Sequence, residues 1–156
     1  MDIIAKLIND KFDFIKLVYS IEDAKKVNNE GNIPILACSA ILKDNKAIEN
    51  SWDMTSDSIS AYVAKLLKAK LLIATNVDGI YTQKPDQLGS KFIDEIDAKK
   101  LLTFNETSVD LMLGKLLLEF GMNCFVVNGN FPERVLSLIN ETTDDYNFPY
   151  TLIRGE

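Results

Sequence analysis

Residues 54–82 read MTSDSISAYVAKLLKAKLLIATNVDGIYT, and the order of polar and apolar stretches in this run decides the fold class. Ile59, Tyr62, Val63, Leu66 and Leu67 recur at i, i+3, i+4, i+7 and i+8, which predicts a helix with one buried face. Thr55, Ser56, Asp57 and Ser58 stand where that helix begins, and each is a good N-cap or first-turn residue. Leu71 to Ala74 has no polar face and reads as a central strand of a parallel sheet covered on both sides. Asn76, Asp78 and Gly79 then turn the chain at the carboxyl end of that strand. In open α/β sheets the ligand crevice lies at such ends.

Outward from this run, helical and strand patterns alternate. Helices are expected over 1–9, 21–29 (capped by Ser20 and ended by Gly31), 96–102, from Asn105 or Thr107 to Phe120, and after Pro132. Strands are expected over 12–18, 33–38, 92–93, 123–127 and 150–153. Residues 39–50 read as a short hairpin or loop packed by Trp52. The class is α/β, with a mostly parallel open sheet and helices on both faces. No repeat or linker interrupts it, so residues 1–156 are expected to form a single domain.

Composition narrows the chemistry. The 156 residues are 47% hydrophobic, enough for an ordinary core, and the formal net charge of −6 argues against a nucleic acid partner. There is no histidine, which removes histidine-based acid, base and metal chemistry. Cys38 and Cys124 match no metal spacing and read as buried thiols. No apolar run is long enough to span a membrane, so a cytoplasmic protein is expected.

Three polar clusters are candidates for chemistry. Thr55–Ser58 reads first as an ordinary cap, since such clusters are common at helix starts, and second as a helix N-terminus that receives an anion, with Asp57 placed to hold a lysine or a metal-bound water. The turn Thr75, Asn76, Asp78, Gly79 and Tyr81 fits a β-turn or a nucleotide crevice with Tyr81 as a flat wall. Thr107, Ser108 and Asp110 open the long helix, which carries Gly114 and Lys115; a glycine inside a helix costs ~1 kcal/mol relative to alanine and signals a close approach. The glycines are scattered, none within four residues of another, so no glycine-rich phosphate loop is present.

In sequence order, TSDS followed by SISAYVA, LLIATNVDGIYT followed by KP, and VDLMLGK ahead of GMNCFVVNG resemble the carboxyl-terminal half of the amino acid kinase superfamily. The run SWDMTSDSISAYVA is most similar to its methanofuran-biosynthesis branch, which phosphorylates an aminomethyl-furanmethyl phosphate. The resemblance implies a three-layer α/β/α sandwich, truncated at the N-terminus relative to the family and lacking its glycine-rich strand-loop segment. It implies Mg-ATP as the phosphoryl donor, a small phosphorylated acceptor, and a homo-oligomer or a partner chain supplying the N-terminal half. By position, Asp57 resembles the aspartate that organises phosphate-binding lysines, and Lys115 stands near the place of one such lysine. Thr55, Ser56, Ser58, Thr107 and Asp110 fall near the acceptor phosphate. Thr75, Asn76, Asp78, Gly79, Tyr81 and Lys84 fall on the nucleotide turn, with Lys84 where the family often has aspartate. The expected activity is an ATP-dependent phosphotransferase; the alternative is a non-catalytic nucleotide-binding or oligomerisation remnant of one.

Overall fold

The computed structural model describes residues 1–42, 55–104, 107–141 and 146–155. The candidate cap Asn105 and the packing expected of Trp52 lie outside the described residues. The chain divides into two compact units, Met1–Trp52 and Asp53–Glu156.

In the first unit, α1 (Asp2–Lys11), β1 (Ile15–Val18), α2 (Ile21–Asn29), β2 (Ile33–Leu36) and α3 (Cys38–Leu42) follow one another, and β1 pairs parallel to β2. The start of α2 lies where its sequence signal puts it: Ser20 Oγ accepts from the Asp23 amide at 3.0 Å. Residues 39–42, expected to be loop or hairpin, are instead helical. Ser39 donates its hydroxyl to Asp2, and Ala37, Ala5, Ala24 and Val18 are the buried apolar residues among those described in the unit.

The second unit holds α4 (Ser56–Leu67), β3 (Leu71–Thr75), β4 (Ile80–Tyr81), β5 (Phe92–Ile93), β6 (Glu95–Asp97), α5 (Ala98–Leu101), α6 (Leu111–Phe120), β7 (Cys124–Asn128), α7 (Pro132–Asn140) and β8 (Thr151–Arg154). Its main sheet runs β3-β7-β8-β6, with β7–β8 the antiparallel pair. Register alternation sorts the side chains. Leu71, Ile73, Cys124, Val126, Ile153 and Ile96 share one face and form a core with Ala61, Ala64, Ala98, Leu101, Leu113 and Leu117 of α4, α5 and α6. Phe125 lies on the opposite face against Tyr150, and α7 packs along β7. The unit is thus layered helix, sheet, helix.

Three sequence readings shift. Within this sheet β3 is an end strand rather than a central one. Ile96 belongs to strand β6, and the helix expected over 96–102 begins at Ala98, where Asp97 caps it through the Lys99 amide at 2.6 Å. The buried stripe of α4 also differs from the expected row of large residues. It is Ser58, Ala61 and Ala64, while Ile59, Tyr62, Val63, Leu66 and Leu67 flank it half-buried. Small residues there let α4 lie close against α6. Gly114 serves the same purpose on the other side of α6, since a Cβ would meet Leu102 Cδ2 at 3.0 Å. Its reason is helix packing, not a ligand.

At the end of α4, Lys68 takes the left-handed conformation (φ 56°, ψ 42°) that Gly121 supplies for α6. A side chain in that region costs ~1–2 kcal/mol, part of which glycine returns through its greater unfolded-state freedom. Lys68→Gly should therefore stabilise the protein by a few tenths to ~1 kcal/mol, read as a higher denaturation midpoint at unchanged m-value.

Candidate functional site

The N-termini of α4 and α6 meet, and a carboxylate sits between them. Asp110 is the N-cap of α6, where Oδ1 accepts from the Leu113 amide at 2.7 Å. The same side chain takes the first turn of α4: Oδ2 accepts from Thr55 Oγ1 at 2.6 Å and from the Ser58 amide at 3.1 Å, and Ser58 Oγ donates to Oδ1. The cap of the long helix is thus Asp110 rather than Asn105 or Thr107. Thr107 instead turns its hydroxyl back on its own loop, donating to the Val109 carbonyl at 2.7 Å.

Asp57 completes the arrangement. Its Oδ2 accepts from the Asp110 amide at 3.2 Å, so each acidic residue binds the segment that carries the other. Their environments push them apart. Burial raises the Asp57 carboxyl above its ordinary range, opposed by the Asp110 amide and reinforced by the Asp110 charge. Burial also pushes Asp110 up, but the Ser58 and Thr55 hydroxyls and the Leu113 and Ser58 amides outweigh it and hold Asp110 below the usual carboxylate range.

Beside this junction is a pocket of about 470 Å³. One wall is the chain after β3: Thr75, Asn76, Val77, Gly79, Tyr81, Gln83, Lys84 and Pro85. The other is Thr107, Ser108, Val109, Asp110 and Leu111, which lead into α6. Ser108 Oγ ties the walls together by donating to the Gly79 carbonyl at 3.0 Å. Tyr81 stands edge-on to Phe92 at 5.3 Å between ring centroids, which fixes its plane. Gly79 is required by crowding: a Cβ there would collide with the Thr151 hydroxyl and come within 3.0 Å of the Phe92 ring. That hydroxyl accepts from the Ile80 amide at 2.8 Å and donates to the Ile93 carbonyl at 2.6 Å, pinning the small β4–β5 hairpin to β8.

The sequence candidates divide accordingly. Thr75, Asn76, Gly79, Tyr81, Lys84, Thr107 and Asp110 line the pocket. Thr55, Ser56, Asp57 and Ser58 do not line it; Thr55, Asp57 and Ser58 are joined to its wall through Asp110. Ser58 is fully buried with its hydroxyl on Asp110. Lys115 is exposed on α6 and is not among the lining residues. Asp78 also falls outside the lining: its Oδ1 accepts from Arg134 Nη1 at 2.8 Å and from Asn128 Nδ2 at 3.2 Å. Arg134 and Asn128 were not singled out from sequence. Among the described residues no group of three or more acidic or thiol side chains is arranged to hold a metal ion. None of their helices is long and apolar enough to cross a membrane.

Comparison with known proteins follows the same lines. The model of the amino acid kinase family matches residues 6–128. A [5-(aminomethyl)furan-3-yl]methyl phosphate kinase from Methanocaldococcus jannaschii is 39% identical over 89% of this chain and 62% of its own length. A uridylate kinase from the same organism is 29% identical over 79% of this chain and 54% of its own. The chain thus spans less than two thirds of the length of these relatives. Among solved structures, UMP kinase from Bacillus anthracis superposes with a TM-score of 0.71 at 16% identity, covering 99% of this chain and 64% of the other. Uridylate kinase from Archaeoglobus fulgidus gives 0.69 at 18% identity, covering 97% and 66%. These likenesses are of fold.

The two carboxylates should respond to pH with opposite signs. A carboxyl raised by the fold destabilises it when ionised, so Asp57 lowers stability at neutral pH and ceases to as pH falls through its folded value. Asp110, lowered by the fold, contributes stability that is lost as pH falls through its folded value. At pH 7 Asp57→Asn should raise the melting temperature and Asp110→Asn should lower it, with both differences shrinking below about pH 4. Asp110→Ala, which leaves the buried Ser58 without its acceptor and α6 without its cap, should cost ~1–3 kcal/mol in denaturant unfolding.

Proposed function

The chain belongs to the amino acid kinase family, and on that premise we propose that the protein is an ATP-dependent phosphotransferase that converts a small monophosphate into a diphosphate. The observation that carries this reading is the pocket between residues 75–85 and 107–111, at the carboxyl end of β3 and beside the Asp57–Asp110 junction. Its size suits a nucleotide base and ribose, and Tyr81 offers a flat apolar wall.

Phosphoryl transfer between phosphates asks little covalent help of the protein, because the attacking oxygen is already anionic. What it needs is positioning and positive charge. Magnesium, which favours one or two carboxylates together with substrate phosphates, would arrive with the nucleotide. Asp57 is the fitting carboxylate to receive it, or a lysine, since its charge is under-compensated in this fold while Asp110 is saturated with donors. A carboxylate that the fold holds at a cost to stability is expected at a working site rather than a packing one.

As acceptor we favour an aminomethyl-furanmethyl phosphate over UMP, since the relative named for it is 39% identical and the uridylate kinase 29%. Thr55 and Ser56, at the exposed start of α4, are assigned to the acceptor side, and Thr75, Asn76, Gly79, Tyr81 and Lys84 to the nucleotide. Self-association is expected from exposed Ile3, Ile4, Leu7, Leu136 and Ile139, and the cytoplasm is the expected compartment.

One observation favours a second reading, a nucleotide-binding module without turnover. Among the described residues that line the pocket Lys84 is the one cation, and Lys115 lies elsewhere on the surface. A triphosphate normally demands more.

Titration with Mg-ATP separates the cases. At a hundredfold excess over Kd it should stabilise the protein by ~2.7 kcal/mol, seen as a rise in Tm. No rise would sink both readings; a rise without diphosphate formation from either monophosphate would select the second. Asp57→Asn should cut turnover on the order of 10²-fold and leave ATP affinity nearly intact.

A further inference from the structure

We propose that Arg134 is a positioning residue for the turn 75–79, acting through Asp78, and so sets the nucleotide wall of the pocket without touching it. The proposal rests on the nucleotide reading of that pocket. Arg134 is the third residue of α7, at the helix end whose dipole repels a cation. Its side chain is nevertheless only 18% exposed.

The reason is across the turn. Nη1 donates to Asp78 Oδ1 at 2.8 Å, and the guanidinium carbon lies 3.9 Å from the centre of the Phe131 ring, which fixes the plane of the fork. Asn128 donates to the same Asp78 oxygen at 3.2 Å. Asn128 is itself held, since its Oδ1 accepts from the Asn130 amide at 3.1 Å. Three residues before Asp78, the Thr75 carbonyl accepts from the Gly129 amide at 2.7 Å. The segment after β3 is therefore strapped at both ends to the segment after β7.

The consequence is that one residue of the turn faces away from the pocket. Asn76, Val77 and Gly79 line the pocket, and Asp78 between them does not. With its carboxylate drawn to Arg134, Asp78 fixes which way the neighbouring residues face. Without Arg134, a half-buried carboxylate would keep only Asn128, and turning toward water would reorient the residues that the nucleotide meets.

Arg134→Met should raise the KM for ATP about 10-fold while kcat and the acceptor KM stay within about twofold. Arg134→Lys should fall between, because an ammonium reaches one oxygen but cannot lie flat on Phe131. Adding Asp78→Asn to Arg134→Met should change the ATP KM little further, as expected for residues acting through one contact. An unchanged ATP KM in Arg134→Met, additive effects in the double variant, or parallel losses in all parameters that track the folded fraction would each overturn the proposal. Amide exchange of nucleotide-free protein separates this from the kinase reading. Faster exchange over 76–81 in both Arg134 variants, with β7 unchanged, supports the positioning even if ATP fails to bind. Unchanged exchange over 76–81 in protein that does bind ATP overturns the positioning alone.

Discussion

The second unit depends on a carboxylate that serves two helices. A helix N-terminus presents unpaired amides and a partial positive charge, and each such end needs a partner. Asp110 supplies α6 through the Leu113 amide and α4 through Thr55 and Ser58. Both helix starts are thereby fixed to a common point, and the loop leading to it becomes a wall of the pocket. The first turn of α4, which looks from its hydroxyls like a seat for an external anion, already holds an internal one. Of the two carboxylates at this corner, Asp57 is the one whose ionisation the fold opposes.

Much of this architecture is legible in the chain. The helix, strand and turn of residues 56–81 lie where periodicity puts them, and so do α2 with its Ser20 cap, α6 with its Gly121 end and α7 behind Pro132. Those signals are local, made by residues a turn apart. Ile96 shows the limit. Its pattern suits a helix, but pairing with Ile153, distant in sequence, makes it a strand. The site divides in the same way. Lining residues that follow β3 were legible because a turn after a buried strand is a local feature. The partnership of Asp110 with Thr55 and Ser58 joins residues more than fifty positions apart, and no spacing announces it. Arg134 was invisible for the same reason, since its importance lies in what stands opposite.

Lys115 shows how position in a motif and position in space can differ. It resembles a phosphate ligand by its place in a motif, yet five residues after Asp110 a helix has turned well away from the start of its axis. It is exposed on α6, outside the pocket lining. Gly114 beside it signals a close approach, of backbone or of ligand, and Leu102 is what approaches, so a motif can owe its glycine to packing while its neighbour stays in solvent.

The small-residue stripe Ser58, Ala61 and Ala64 carries one more consequence. Side chains this short leave no slack between α4 and α6, and their N-termini share Asp110 while Lys65 reaches the Phe120 carbonyl at 3.2 Å at the far end. Two helices joined at both ends and close along their length cannot open separately. They form one cooperative block, so local opening at this side of the pocket must involve both helices at once. The wall of the pocket that leads into α6 is therefore backed by two helices and not by one.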